Sequence, residues 1–355
     1  MQQTFVFPYC HRAPAVALTR AGRRTRGFTL IELMVSMVIG LLVVLAAVAA
    51  LLVARNGFTA TDAASQLRDN ARFAVLALDR IGVQSGFKDV AFATVTDPND
   101  ASITTNYPPP ITGFSNAFPS MTDLTTSTSL TSTSVGYGSD VLIMRFQPAS
   151  SLPTTGSPDT DQSMIDCFGY APATAPSSAK DNYVSAFSVN ADATGEPTLY
   201  CARSPNGLAP YKNYPLIRGV ELFKVLYGVD SGVTPNTAPA TAASAPLDSV
   251  PKRYLTADQM VVPADPDGTL TAANWRRVRS IRIGMILRSD AGAVEMPQTQ
   301  TLYPFGAAKS GAAAATGSAF VDSGNINSQF SAPADGRLRQ VVTFTIHLRN
   351  DQGGR

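Results

Sequence analysis

The chain has 355 residues, 45% of them hydrophobic and 15% charged, enough length for one large or two ordinary domains but with a charged share well below the ~25% of an average globular protein. Gly, Pro, Ser, Thr and Ala fill much of the remainder, which points away from a helical bundle and towards strands joined by long polar loops. The net charge of +2 is uneven: all five basic residues before Gly27 are arginines (Arg12, Arg20, Arg23, Arg24, Arg26) with no acid among them, and the remaining 23 basic against 26 acidic side chains give no general case for nucleic-acid binding.

The first element is an apolar run. Leu33 to Ala54 carries no charge, and these 22 residues would span about 33 Å as a helix, enough for a hydrocarbon core of about 30 Å. The arginines ahead of it hold the N-terminus in the cytoplasm, so everything after Arg55 is expected to be exported. Glu32, in the first turn, is the only ionisable side chain from Phe28 to Ala54. A carboxylate at the centre of a bilayer costs about 2.5–3.5 kcal/mol, so such a residue needs a job. A cleaved secretory signal has some support in Ala47-Val48-Ala49, but the run is too long for one and begins with a glutamate. A plain signal anchor accounts for the length and leaves Glu32 unexplained.

A third reading accounts for both. Arg26-Gly27-Phe28-Thr29-Leu30-Ile31-Glu32 resembles the processing site of type IV prepilins and the related pseudopilins. The resemblance implies that a prepilin peptidase on the cytoplasmic side cuts after Gly27 and methylates the new N-terminal residue, Phe28. It also implies that Glu32, one helical turn further on, faces the N-terminus of a neighbouring subunit during assembly. A buried charge becomes tolerable when paired, and methylating an amine leaves its positive charge in place. Glycine suits the cut site because a backbone without Cβ lets a protease approach closely.

No proline occurs between Pro14 and Pro98, so one helix can run from Phe28 to about Gln84, about 85 Å. Leu67, Ala71, Val75, Leu78 and Ile81 form an apolar stripe on its later part, read as packing on its own domain, with Gly82 and Gly86 as stop signals. Residues 94–136, with "TTSTSLTSTS" from Thr125 to Ser134, read as loop or poorly ordered linker, as do 231–250 and 306–328. Strands are expected over Asp140–Phe146, Tyr183–Val189, Thr198–Arg203, Gly219–Tyr227, Ser280–Arg288 and Val341–Leu348. The last two alternate with period two, which predicts a sheet with one face buried. A long helix on an antiparallel sheet is an α+β arrangement.

Of three cysteines, Cys10 lies in the basic N-terminal segment and leaves an even pair, Cys167 and Cys201, in the exported body. That predicts one disulfide, the alternative being two independent buried thiols. Closing a loop of roughly 35 residues would contribute about 3–4 kcal/mol. Catalysis finds little support. His11 sits in the leader and His347 in a strand, read as a solvent-side residue, and no nucleophile–base set, Cys-x-x-Cys or phosphate-cradling glycine loop is present. "DPND" at 97–100 and "ADPDG" at 264–268 resemble fragments of calcium loops without the full ligand set and read as turns. Arg276, Arg277, Arg279 and Arg282 beside Trp275 read as a solvated face, with filament contacts or DNA as alternatives.

"LRDNARFAVLALDRIGVQSGF", "IRGVELFKVLYGVD", "NWRRVRSIRIGMILRS" and "RLRQVVTFTIHLRN", in that order, resemble the PilW family of minor pilins. The resemblance implies a pilin-like fold in four parts: a cleaved leader over 1–27, a transmembrane half-helix over 28–55, an amphipathic half-helix over 56–86, and a β-rich periplasmic or extracellular head over 87–355. It implies a structural component that helps initiate or cap a type IV pilus, with no catalytic residue, cofactor or metal. Expected partners are other minor pilins, the major pilin, the platform protein, an assembly ATPase and the membrane, with no nucleic acid. The chain would reside in the inner membrane, N-terminus inside, and after assembly in the pilus at the cell surface. A J-type pseudopilin of a type II secretion system is the alternative in the same class. A signal-anchored extracytoplasmic enzyme or binding protein is the alternative from another.

Overall fold

The structure is a computed structural model and describes residues 27–92, 108–151, 159–178, 180–240, 248–307 and 329–350. Most of the leader, with Cys10 and His11, the "DPND" fragment and nearly all of 306–328 lie outside the described residues. The chain divides into two compact units, one ending at Arg55 and one from Asn56 onward.

Helix α1 runs Leu30–Gln84 without a break, two residues inside the expected start and ending where expected. In the first unit every described residue is exposed, including Leu41 at 71% and Val53 at 74%. Apolar surface of that extent around a whole helix is stable only in apolar surroundings, and the segment is long and apolar enough to cross a membrane.

In the second unit the remaining part of α1 buries Leu67, Ala71, Ala74, Leu78 and Ile81. Ala74 replaces the expected Val75 at the centre of the stripe, and Val75 is half-buried. Gly82 is not a stop. It lies inside the helix, where an added Cβ would come within 2.7 Å of the Ile346 side chain, so helix and strand approach closely there. Gly86 follows Gln84 with φ +78°, the left-handed conformation that ends helices.

Two sheets, not one, make up the body, both antiparallel. The first orders β1 (Ile111–Phe114), β4 (Val141–Phe146), β5 (Tyr183–Ala191), β6 (Pro197–Arg203) and β7 (Lys212–Arg218) as β1-β4-β5-β6-β7. The second orders β8 (Val220–Val229), β9 (Arg253–Leu255), β10 (Val278–Arg288) and β13 (Arg339–His347) as β13-β10-β8-β9. The chain changes sheets at Gly219, whose φ of +78° and approach of 2.5 Å between an ideal Cβ and the Arg288 carbonyl oxygen leave room for no side chain. Short ribbons β2 (Ala117–Pro119) with β3 (Ser127–Ser129) and β11 (Gln300–Leu302) with β12 (Phe330–Ala332), and helices α2 (Ala257–Met260) and α3 (Thr269–Arg276), complete the described elements.

One core joins α1 to both sheets through Leu142, Phe187, Phe223, Ile283 and Ile346, among others. A second, with Leu124, Val141, Ile143 and Val184, fills the other face of the first sheet. The β2–β3 segment that covers this face lies in the Ser/Thr-rich stretch read from sequence as linker. β10 is buried on both faces, against the expectation of one: Pro304 and Phe305 close over Gly284 on the side away from the core. The α+β class stands as expected.

Candidate functional site

The N-terminal motif is built by helix-start chemistry. Gly27, Phe28 and Thr29 precede the helix as irregular chain. An added Cβ at Gly27 would meet nothing within 4 Å, and Phe28 is 78% exposed. Thr29 is the cap: its Oγ1 accepts from the Glu32 N–H at 3.3 Å, and its carbonyl accepts from the Leu33 N–H at 3.1 Å. Thr29-Leu30-Ile31-Glu32 therefore has the Thr-x-x-Glu spacing of a capping box. An acid in the first turn also meets the positive end of the helix dipole. Sequence reasoning set Glu32 aside for a neighbour's amine and missed this local contribution, although the spacing was there to be read. Further along, Ser36 Oγ donates to the Leu33 carbonyl at 2.8 Å, which satisfies the hydroxyl within the helix.

In the second unit Cys167 is disulfide-bonded to Cys201, with Cα atoms 6.3 Å apart. Cys201 lies in the core on β6, and the Cys167 N–H donates to Ser185 Oγ on β5 at 3.0 Å, so the preceding loop is fastened to the first sheet at two points. A buried ion pair between Asp166 and Arg203 adds a third, with Arg203 over the Tyr170 ring at 4.9 Å.

The arginine cluster is not a solvated face. Arg276, Arg277 and Arg279 are buried and Arg282 is half-buried. Arg277 pairs with Asp230 at 3.0 Å and donates to the Ala240 carbonyl at 3.0 Å. Arg279 reaches Asp230 at 3.5 Å and the Asp248 carbonyl at 2.8 Å. Burying a guanidinium costs several kcal/mol unless it is paired, and Asp230 with the carbonyls of the adjoining loop supplies the pairing. These arginines hold the loop after β8 in place.

At 264–268 the acids start α3: Asp265 accepts from the Thr271 N–H at 2.7 Å and Asp267 from the Thr269 hydroxyl at 2.8 Å. Among the described residues no cluster of three or more His, Cys, Asp or Glu side chains could hold a metal ion. His347 is exposed at the end of β13.

The prokaryotic N-terminal methylation motif matches residues 22–48, across Gly27, Phe28 and Glu32. The family of the type IV pilus-assembly protein W (PilW) matches residues 186–350, from within β5 to just past β13. No curated protein matches the chain. Among solved structures, a type IV-like pilin from Thermus thermophilus is similar at 14% identity, with a TM-score of 0.34 over 81% of this chain and 98% of that one. The methylation motif and the exposed apolar helix define a membrane-anchored pilin. Within that class its residues 186–350 are similar to the PilW family.

Proposed function

We propose that this chain is a minor pilin that helps to start or cap a type IV pilus. The observation that carries the reading is the arrangement around residue 28. A basic leader ends in Gly27, Phe28 follows, and a span free of charge carries one carboxylate, Glu32, a helical turn beyond Phe28. A prepilin peptidase would cut at the open Gly27–Phe28 bond and methylate the Phe28 amine. The mature amine keeps its positive charge, and Glu32 of one subunit offers it a partner where unpaired charge is costly. The subunit then waits in the inner membrane, N-terminus inside, until the platform protein and assembly ATPase move it into the filament beside other pilins.

Intact mass and N-terminal sequencing of the mature chain test this directly. The expected product begins at Phe28 and is one methyl group heavier than the bare sequence, and Gly27→Leu leaves uncut precursor in the membrane. A mature N-terminus at Ala50 would overturn the reading in favour of a secretory signal.

A further inference from the structure

Sheet edges are templates for pairing with another chain, and proteins usually blunt them with prolines, bulges, charges or short strands. Three of the four edges of the two large sheets here are blunted. β1 is four residues long and β9 three. β7 carries Pro215, and its ladder with β6 shifts register between Leu199 and Tyr200. β13 is the exception. It runs nine residues in unbroken register with β10, has no proline, and has no charged side chain from Gln340 to Ile346. Arg339, at its start, is turned into ion pairs with Glu221 and Asp335. Among the described residues no strand pairs with the outer side of β13.

A groove of about 680 Å³ lies between this strand and α1. Ala71, Val75 and Leu76 of the helix and Val341 and Val342 of the strand give it an apolar lining. Leu76 is 69% exposed, an unusual cost to leave standing in water. Arg68 and Arg72, one turn apart on α1, line the same groove, and neither has a hydrogen-bond or ion-pair partner among the described residues.

We propose that the β13 edge and this groove receive an extended, acidic segment of another pilus protein as an added strand. This inference rests on the reading of the chain as a pilus component. The strand's free N–H and C=O groups bind the incoming backbone, alternate apolar side chains enter the groove, and carboxylates meet Arg68 and Arg72. Charge selects the occupant. A second copy pairing edge to edge would bring its own Arg68 and Arg72 to the same seam, and like charges there oppose it.

The test uses the full-length chain in its own cells, with a photo-crosslinking benzoylphenylalanine at position 341. The expected product joins position 341 to a strand-forming, acid-bearing peptide of a different pilus protein. Arg68→Glu/Arg72→Glu should lower its yield by about tenfold or more, and replacing the mapped acids by arginine should restore it. Crosslinks that join two copies of this chain in place of a partner, or a yield that charge reversal leaves unchanged, would overturn the proposal. Envelope and sheared pili are read separately. Capture of that acidic partner in the envelope, with the unsubstituted chain missing from pili, supports the surface and overturns the pilus reading. A chain present in pili with no crosslink in either fraction overturns the surface alone.

Discussion

Asp140 shows how much one side chain carries in this body. β9 pairs with only the last residues of β8, Tyr227 to Val229, which leaves the edge open near Phe223 and Val225. The Asp140 N–H donates to the Phe223 carbonyl at 2.7 Å, and its carboxylate accepts from the Val225 N–H at 2.9 Å, as a neighbouring strand would. Lys224 Nζ reaches the same carboxylate at 2.7 Å and the Gly138 carbonyl at 3.1 Å. Both charges are buried. Burial pushes the Asp140 carboxyl above its ordinary range, with Lys224 and the backbone donors pulling it back. Lys224→Met leaves that carboxyl without its counter-charge and should cost about 3–5 kcal/mol. Lys224→Met/Asp140→Asn should cost less, because a neutral amide can still accept from the Val225 N–H and no charge is left buried without a partner. Urea unfolding of the detergent-solubilised chain compares them, and a double variant no better than the single would refute the account. None of this was legible beforehand, because the partners are 84 positions apart and a lone Lys in a strand reads as solvent-facing.

At the level of elements, what could be read depended on whether the signal was local. The α1 helix, the N-terminal motif and six strands stood out because periodicity and spacing lie within a few residues of one another. The buried arginines did not, since Asp230 is 47 positions from Arg277 and a cluster of charges looks solvated until its partners are known. β1 to β3 were hidden in a Ser/Thr-rich stretch, where polar composition outweighs the few apolar contacts that place them. A second charged assembly ties the ends of β8, β10 and β13 together. Arg288 bonds Glu196 at 2.7 Å and Glu221 at 2.8 Å, and Arg339 bonds Glu221 and Asp335, each at 2.6 Å. Hydrogen bonds from Arg288 hold Glu196, and those from Arg339 hold Asp335, below the usual carboxylate range. Carboxyls held low in the folded state bind fewer protons than in the unfolded chain. Their contribution is complete above the ordinary carboxylate values near 4 and is lost as pH falls through the depressed ones. The second unit should therefore lose stability on acidification below about pH 4, with a neutral-pH plateau. Glu196→Gln should lower that plateau by about 1–2 kcal/mol and flatten the acid limb. Thermal unfolding between pH 7 and pH 3 measures both, and an unchanged acid limb would rule this carboxylate out as a contributor.

For the molecule as a whole, the two units answer to different solvents, and Glu32 belongs to the one without a core of its own. The second unit is held by its disulfide, its shared core and its ion pairs, none of which involves residues 27–55. Glu32→Ala should therefore leave urea and thermal unfolding of that unit unchanged. Inside the first unit the substitution removes a charge from the apolar span, so insertion should be at least as good as before. It also removes an acid from the positive end of the helix dipole, a loss of about 0.3–1 kcal/mol to the helix start at most, too little to unfold a helix held by its surroundings. What remains to be lost is the partner for a neighbour's methylated Phe28 amine. In low dielectric that attraction far exceeds its value in water, even after desolvation takes back part of it. The variant should be cut, methylated and membrane-resident, yet depleted in sheared pili by about tenfold or more. Glu32→Gln separates charge from shape, because an amide keeps the size and outline of the side chain and loses the charge. If Gln restores incorporation, the shape of the side chain is what matters; if Gln behaves as Ala, the charge is. Wild-type levels of either variant in pili would show that assembly does not use this carboxylate.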